Sequence, residues 1–187
     1  MDVTKVIKER RSIRRFSKKS INDDIILGAL DAALWAPSAG NVQDKEFIVI
    51  RNDKTKESLV EAVFEQNWVA HAPVIIILLS NLSKLRLKFS ERAEFYSLVG
   101  GGASLENMLL YLTSEGLQGT HVGLFDELVV KRVLGVPDDR RVISIIALGY
   151  PAEKPPVPQR IELRNVTFFE NYGDKWTKNV PRETYLH

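Results

Sequence analysis

The chain contains no cysteine in 187 residues. That absence removes disulfides, thiolate metal sites, iron–sulfur clusters and a cysteine nucleophile together. It fits a reducing cytoplasm, or a hot one where thermolabile residues are scarce, and methionine is also rare, at two. Histidine is nearly as sparse. His71, His121 and His187 lie far apart with no Asp or Glu at ligand spacing, which argues against a metal centre. No long apolar run occurs. The most hydrophobic stretch, Val74 to Leu79, falls well short of the roughly 20 residues that cross a bilayer. The first residues are charged and lack a leader's apolar core, so a soluble, cytoplasmic protein is expected. Neither a Gly-x-Ser-x-Gly nucleophile elbow nor a Gly-x-Gly-x-x-Gly dinucleotide fingerprint is present.

A large excess of one charge is missing too. Net charge is +2, so bulk electrostatics gives no reason to expect a nucleic acid or a membrane as partner. The basic residues are nevertheless uneven. Lys5, Lys8, Arg10, Arg11, Arg14, Arg15, Lys18 and Lys19 crowd one segment in which Glu9 is the only acid. A non-enzymatic nucleic-acid module built on this cluster is the competing reading from a different class, and it would bind with steep salt dependence.

Hydrophobic periodicity outlines a domain of alternating helices and strands. Asp2 can cap a short helix carrying Val3, Val6 and Ile7, and Asn22 or Asp23 a second with Ile26, Leu27, Leu30, Ala33 and Leu34. Pro37 ends it. Phe47–Ile50 reads as a buried strand, a helix is expected to hold Leu59, Val60, Val63 and Phe64, and Val74–Leu79 is the clearest core strand. The charged stretch from Leu82 to Glu94 is ambiguous. A long helix is expected from about Leu98 to Glu115, stopped by Gly116. Thr120–Val122 forms a short segment, Asp126 caps a helix through Leu134, and Val142–Leu148 is the last strand. Beyond it, Pro151, Pro155, Pro156 and Pro158 make an extended connector. Phe168, Phe169, Tyr172, Trp176 and Tyr185 follow with no clear period, and they need the domain's own flank or a second chain to cover them.

Two segments carry chemistry. In Arg10-Arg11-Ser12-Ile13-Arg14-Arg15-Phe16, extended backbone would put Arg10, Ser12 and Arg14 on one side. Guanidinium forks and a hydroxyl on one face suit a phosphate, with Phe16 as a core anchor. The blander alternative is a solvated basic turn. In Pro37-Ser38-Ala39-Gly40-Asn41-Val42-Gln43, a fixed turn, a hydroxyl and two amides can read a heterocycle edge, though a plain helix-to-strand loop uses the same residue types.

The order and spacing of these segments resemble the FMN-dependent nitroreductase family. The likeness rests on Arg11-Ser12-Ile13-Arg14 with Phe16, then Pro37-Ser38 with Asn41 and Gln43 leading into Phe47–Ile50. It continues through Ala72-Pro73, Glu106-Asn107-Met108-Leu109-Leu110, Gly116 to Gly123, Leu134-Gly135-Val136-Pro137 and Leu148-Gly149-Tyr150-Pro151. The resemblance implies an α+β fold: a three-layer α-β-α sandwich with a central, mainly antiparallel sheet, in an intertwined homodimer. Residues 1–155 would form the FMN-binding domain and 156–187 a C-terminal extension packing on the partner subunit. NAD(P)H would deliver hydride to FMN and leave, and a nitroaromatic, quinone or similar small-molecule acceptor would take its place in ping-pong turnover. No obligatory protein acid or base is expected.

By the same resemblance Arg10, Arg11, Ser12 and Arg14 would serve the FMN phosphate and ribityl region, Arg14 reaching toward the pyrimidine edge. Pro37, Ser38 and Asn41 would contact the ring from the partner subunit. Val122, Gly123 and Leu124 would lie behind the flavin, Asn67 would meet the ribityl chain, and Arg160 would join the phosphate. His121 would stand beside the flavin loop, as a pocket residue or a packed surface histidine. Two departures stand out. Asp44-Lys45-Glu46 replaces the family's usual Pro-Trp after the glutamine, which is expected to alter the wall of the substrate pocket. It leaves reductive dehalogenation or flavin fragmentation as alternative chemistry. Gly100-Gly101-Gly102 is expected at a helix start, for close packing; no Lys-Ser/Thr follows to make it a phosphate loop.

Overall fold

The computed structural model describes residues 2–175. Its centre is β2, Val74–Asn81, eight residues that are all buried. A strand covered on both faces must be apolar throughout, and the β-branched run Val74–Ile77 meets that demand. β1 (Lys45–Ile50) and β4 (Arg140–Gly149) flank it, and β3 (Gln118–Val122) closes the far edge, in the order β1-β2-β4-β3 with every pairing antiparallel.

Helices cover both faces. On one side α2 (Asp23–Leu34) and α5 (Ala93–Ser114) pack Ile26, Ala29, Met108 and Leu112 against Val74, Ile76 and Ile146. On the other, α3 (Asp53–Ser58), two 3-10 turns at Glu61–Val63 and Asn67–Val69, and α6 (Glu127–Leu134) cover Ile75, Ile77, Ile145 and Ala147. This is the expected α+β three-layer sandwich. α1 (Val3–Glu9) touches α5 through its middle and is capped by Asp2, as expected.

Several boundaries differ from the sequence pattern. The helix expected around Leu59–Phe64 sits earlier, at Asp53–Ser58, where the Asn52 side chain caps it by accepting from the Thr55 N–H. Leu59 and Val63 are still buried, but Phe64 and Glu65 turn left-handed and end the segment. The ambiguous charged stretch becomes α4 (Leu82–Phe89) and a 3-10 turn at Ser90–Arg92, with Leu82 and Leu85 inward. α5 then begins at Ala93, so the three glycines lie inside a 22-residue helix and not at its start.

Close packing explains one of them directly. A Cβ at Gly101 would lie 2.6 Å from Ile143 Cγ2, whereas one at Gly102 would meet nothing within 4 Å. Ile143 itself is a bulge. Leu78 pairs with Ser144 and Leu79 with Val142, so one residue of β4 is left over between them.

Candidate functional site

The basic segment Arg10–Phe16 runs beside the β3 edge and crosses to the end of β4, held by side chains that sequence reasoning did not single out. The Gln118 Oε1 accepts the Arg11 N–H at 2.8 Å. The Thr120 hydroxyl accepts the Ile13 N–H at 2.8 Å and donates to the Ile13 carbonyl at 2.6 Å. At the far end Glu153 accepts the N–H groups of Arg14 (2.5 Å) and Arg15 (3.0 Å), and the Arg15 Nε lies 3.2 Å from its other oxygen. These two backbone donors, with Arg15 beside them, hold the Glu153 carboxyl below its ordinary range. Phe16 bridges to Pro151 and packs on the core, as the sequence led us to expect.

Ile13 is the inward residue of the segment, 1% exposed, while Ser12 and Arg14 face solvent. Arg10 lies along α5 with its Nε 3.5 Å from Glu106. Arg11 does not join that face. Its Nη1 donates to the carbonyls of Lys8 and Arg10, which closes the end of α1. The Arg14 guanidinium lies 5.6 Å from the centre of the Trp68 ring. That contact brings the Asn67–Val69 turn to the same rim, with Asn67 itself exposed.

Val122 ends β3 and is buried, whereas Gly123 and Leu124 are exposed. Gln66 Nε2 donates to the Leu124 carbonyl at 3.4 Å, so the loop after β3 adjoins the Asn67 turn. His121 stands against Gly123, where a Cβ would lie 3.2 Å from its Nε2, and partial burial lowers its pKa. Arg14 thus meets the Asn67–Val69 turn at Trp68, and the loop at Leu124 reaches the neighbouring Gln66, while Arg10 lies beside α5 at Glu106.

Pro37, Ser38 and Asn41 lie elsewhere. Their loop follows α2 and rests on α4 and the first half of α5. Lys88 Nζ donates to the Gly40 carbonyl at 2.8 Å, and the Pro37 carbonyl approaches Gly100. Gly100 is six residues before Glu106, about 9 Å of rise and a different helix face. The cleft between α2 and α5, about 540 Å³, opens beside this loop and is lined by Gly28, Asp31, Asn107, Tyr111 and Trp35. Trp35 is 80% exposed. Arg160 stands exposed on the connector after β4.

The departure at residues 44–46 takes an unexpected form. Asp44 and Lys45 are buried, with side chains 2% and 4% exposed, and pair with each other. Glu46 pairs with Arg140 at 2.6 Å. Asp44 and Lys45 therefore do not form an open pocket wall, contrary to the sequence expectation, and say little about substrate. The basic cluster is likewise less available to a polyanion than its composition suggested, since Lys5 pairs with Glu9 and Arg15 with Glu153. Among the described residues no group of three His, Asp or Glu could hold a metal, and no helix is long and apolar enough to cross a membrane.

The structure is a three-layer sandwich with guanidinium and hydroxyl groups exposed on the segment beside the β3 edge. Comparison with known proteins makes this specific. The model of the Nitroreductase family matches residues 7–72 and 65–150, and the chain belongs to that family. It is 30% identical to a protein named NADH dehydrogenase from Thermus thermophilus, over 90% of this chain and 96% of that one. It is 21% identical to a Bacillus subtilis protein named FMN reductase [NAD(P)H], covering 96% of this chain and 78% of the relative. The fold superposes on a nitroreductase family protein from Streptococcus pneumoniae with a TM-score of 0.82 at 23% identity, covering 89% and 98% of the two chains.

Proposed function

We propose that this chain works by ping-pong turnover, in which NAD(P)H and then a nitroaromatic, quinone or similar acceptor occupy one site in succession. As a member of the nitroreductase family it is an NAD(P)H oxidoreductase, and its cofactor is FMN. The cofactor supplies the hydride chemistry when bound; the chain binds it, orients it and shields it.

The donor set fits that cofactor. Among the described residues the Ser12 hydroxyl has no hydrogen-bond partner, and the Arg14 guanidinium has no hydrogen bond or ion pair and lies near the Trp68 ring. Arg10 engages Glu106 through Nε, which leaves its terminal nitrogens for an anion. Arg10, Ser12 and Arg14 would bind the phosphate and ribityl region, and Arg11 would fix the segment from behind. Asn67 would meet the ribityl chain, and the backbone of Val122, Gly123 and Leu124 would lie behind the ring. Arg14 would place positive charge where the reduced ring gathers negative charge, an electrostatic stabilisation that needs no proton transfer. The observation that supports this reading is the set of exposed donors on Arg10–Arg14, with Arg14 set against Trp68 of the Asn67 turn.

Two features support a homodimer. Pro37, Ser38 and Asn41 sit away from those donors, as they would if they served the partner's flavin. Residues 156–187 would be an extension beyond a 1–155 domain. Its described part exposes Val157 (79%), Ile161 (60%) and Tyr172 (93%), apolar surface suited to a partner subunit. Arg160 lies on this extension, and its phosphate contact would depend on where the extension docks. Trp176 and Tyr185 lie outside the described residues. The cysteine-free composition fits a cytoplasmic location. Light scattering that returned a monomeric holoprotein would rule out the dimer.

The test is the visible spectrum of protein purified without added cofactor, followed by anaerobic NADH. Flavin bands that bleach are expected. A colourless protein that also refuses added FMN overturns the reading. A substrate panel under anaerobic reduction separates nitroaromatic and quinone acceptors from reductive dehalogenation or flavin fragmentation.

A further inference from the structure

The loop Pro37–Gln43 is strained. Gly40 (φ 52°), Asn41 (φ 55°) and Gln43 (φ 51°) are all left-handed; Gly and Asn tolerate the region, and the Gln43 side chain disfavours it. Such a conformation persists only where surrounding contacts over-determine it. Local bonds supply part of the answer: the Asn41 N–H donates to the Ser38 carbonyl, and the Gln43 N–H to the Ser38 hydroxyl.

The rest lies beneath the loop. Asp44, directly after Gln43, is 1% exposed. Its carboxylate accepts from the Ser80 hydroxyl and pairs with Lys45 Nζ at 2.5 Å. Its carbonyl accepts the Asn81 N–H at 2.8 Å. Lys45 and Ser80 face each other across β1 and β2, on the sheet face that α5 covers. The Lys45 ammonium reaches Gly100 on α5, where a Cβ would lie 3.2 Å from Nζ and 3.9 Å from the Pro37 carbonyl oxygen. One ion pair therefore anchors the exit of the loop at Asp44, and its ammonium lies against Gly100, the helix position that the Pro37 carbonyl also approaches.

An apolar pair of similar volume would fold at least as well, because desolvation offsets most of what a buried ion pair gains. Its place at the exit of a left-handed loop points to positioning and not to bulk stability. We propose that the buried Asp44–Lys45 pair, seated on Gly100, is the positioning element that holds Pro37–Gln43 in its left-handed form. The consequence for flavin rests on the reading that Pro37, Ser38 and Asn41 meet the FMN ring; the positioning itself does not.

The test uses the Asp44→Asn/Lys45→Met double variant, which removes both charges and leaves neither alone. Three quantities are read: amide hydrogen exchange of Asn41, Val42 and Gln43 in the flavin-free protein, thermal midpoint, and FMN affinity by fluorescence titration. The expected result is loop exchange faster by about tenfold or more with β2 amides unchanged, a thermal midpoint within a few degrees of wild type, and FMN bound about tenfold more weakly. Loop exchange equal to wild type overturns the proposal, whatever the flavin does. Faster exchange with unchanged FMN affinity keeps the positioning role and removes its flavin consequence. Wild-type protein that binds no FMN defeats the functional reading, and the exchange measurement still decides the inference. Should the double variant fail to fold, Gly100→Ala decides on the same amides, because it crowds Lys45 with both charges intact.

Discussion

Thr120→Val tests how the Arg10–Phe16 segment is held. The exchange preserves shape and deletes one hydroxyl that serves both the N–H and the carbonyl of Ile13. Thr120 is 4% exposed and Ile13 1%, so water does not reach the vacated groups without movement. Each buried group left without a partner costs about 1–3 kcal/mol, which gives about 2–6 kcal/mol if the segment stays in place. The segment can also lift and admit water. Stability then falls less, but Arg10, Ser12 and Arg14 leave their alignment and ligand affinity falls instead. The two losses are complementary: a urea midpoint lowered by the equivalent of about 2 kcal/mol or more, or FMN weakened by about tenfold, which is 1.4 kcal/mol. Thr120→Ser keeps the hydroxyl and loses one methyl, so it should cost only about 1 kcal/mol. Urea titration and flavin fluorescence on the same samples measure both. If Thr120→Val lies within about 0.5 kcal/mol of wild type and binds FMN equally well, the segment is not anchored as described.

Other expectations follow from the same geometry. Glu153 has a folded-state pKa below its ordinary value of 4.5, so its contribution to stability is full above that value and is lost as pH falls through the folded pKa. Glu153→Gln should flatten the fall of the urea midpoint as pH drops below that value, and an unchanged slope would refute the clamp on Arg14 and Arg15. Gly101→Ala should destabilise by about 1–3 kcal/mol through the clash with Ile143. Gly102→Ala, with open space around it, should be neutral or stabilise by up to about 1 kcal/mol; thermal melts of the pair that coincide would contradict this. Arg14→Ala should weaken FMN binding and slow its reduction by NADH, and stopped-flow traces matching wild type in both respects would remove its electrostatic role.

Much of the sandwich was legible in the sequence because buried strands and capped helices write local patterns. Val74–Leu79 could hardly be anything but a core strand, and Asn22, Asn52, Asp126 and Gly135 cap or stop helices where they stand. The start of α5 was not legible. Phe95, Leu98 and Val99 point outward at 50–57% exposure and break the inward period, and three glycines resemble a boundary. α4 was hidden by its charges, with only Leu82 and Leu85 turned in. The Arg-Ser-x-Arg segment stood out in the sequence as a candidate phosphate site, but its anchors did not. Thr120 is 107 residues from Ile13 and Glu153 is 139 from Arg14, contacts that no local pattern encodes. Asp44 and Lys45 misled for a related reason: charged residues are ordinarily outside, and only Ser80, Gly100 and each other make their burial tolerable.

The bulge at Ile143 settles which way the first part of β4 faces. Val142 joins the core under α3 and α6 together with Ile145, and Ile143 joins the core under α5 together with Ile146. Those three-residue spacings are impossible in an uninterrupted strand, whose faces alternate every residue. Deleting that single residue would leave Val142 next to Ser144 in regular alternation, still opposite Leu79, and would remove only the side chain that packs on Gly101. The bulged side chain and the size of the residue at position 101 are therefore one character of the sequence and not two. Bulk added on the helix has to be removed at the bulge, so the two positions constrain each other in any descendant of this chain.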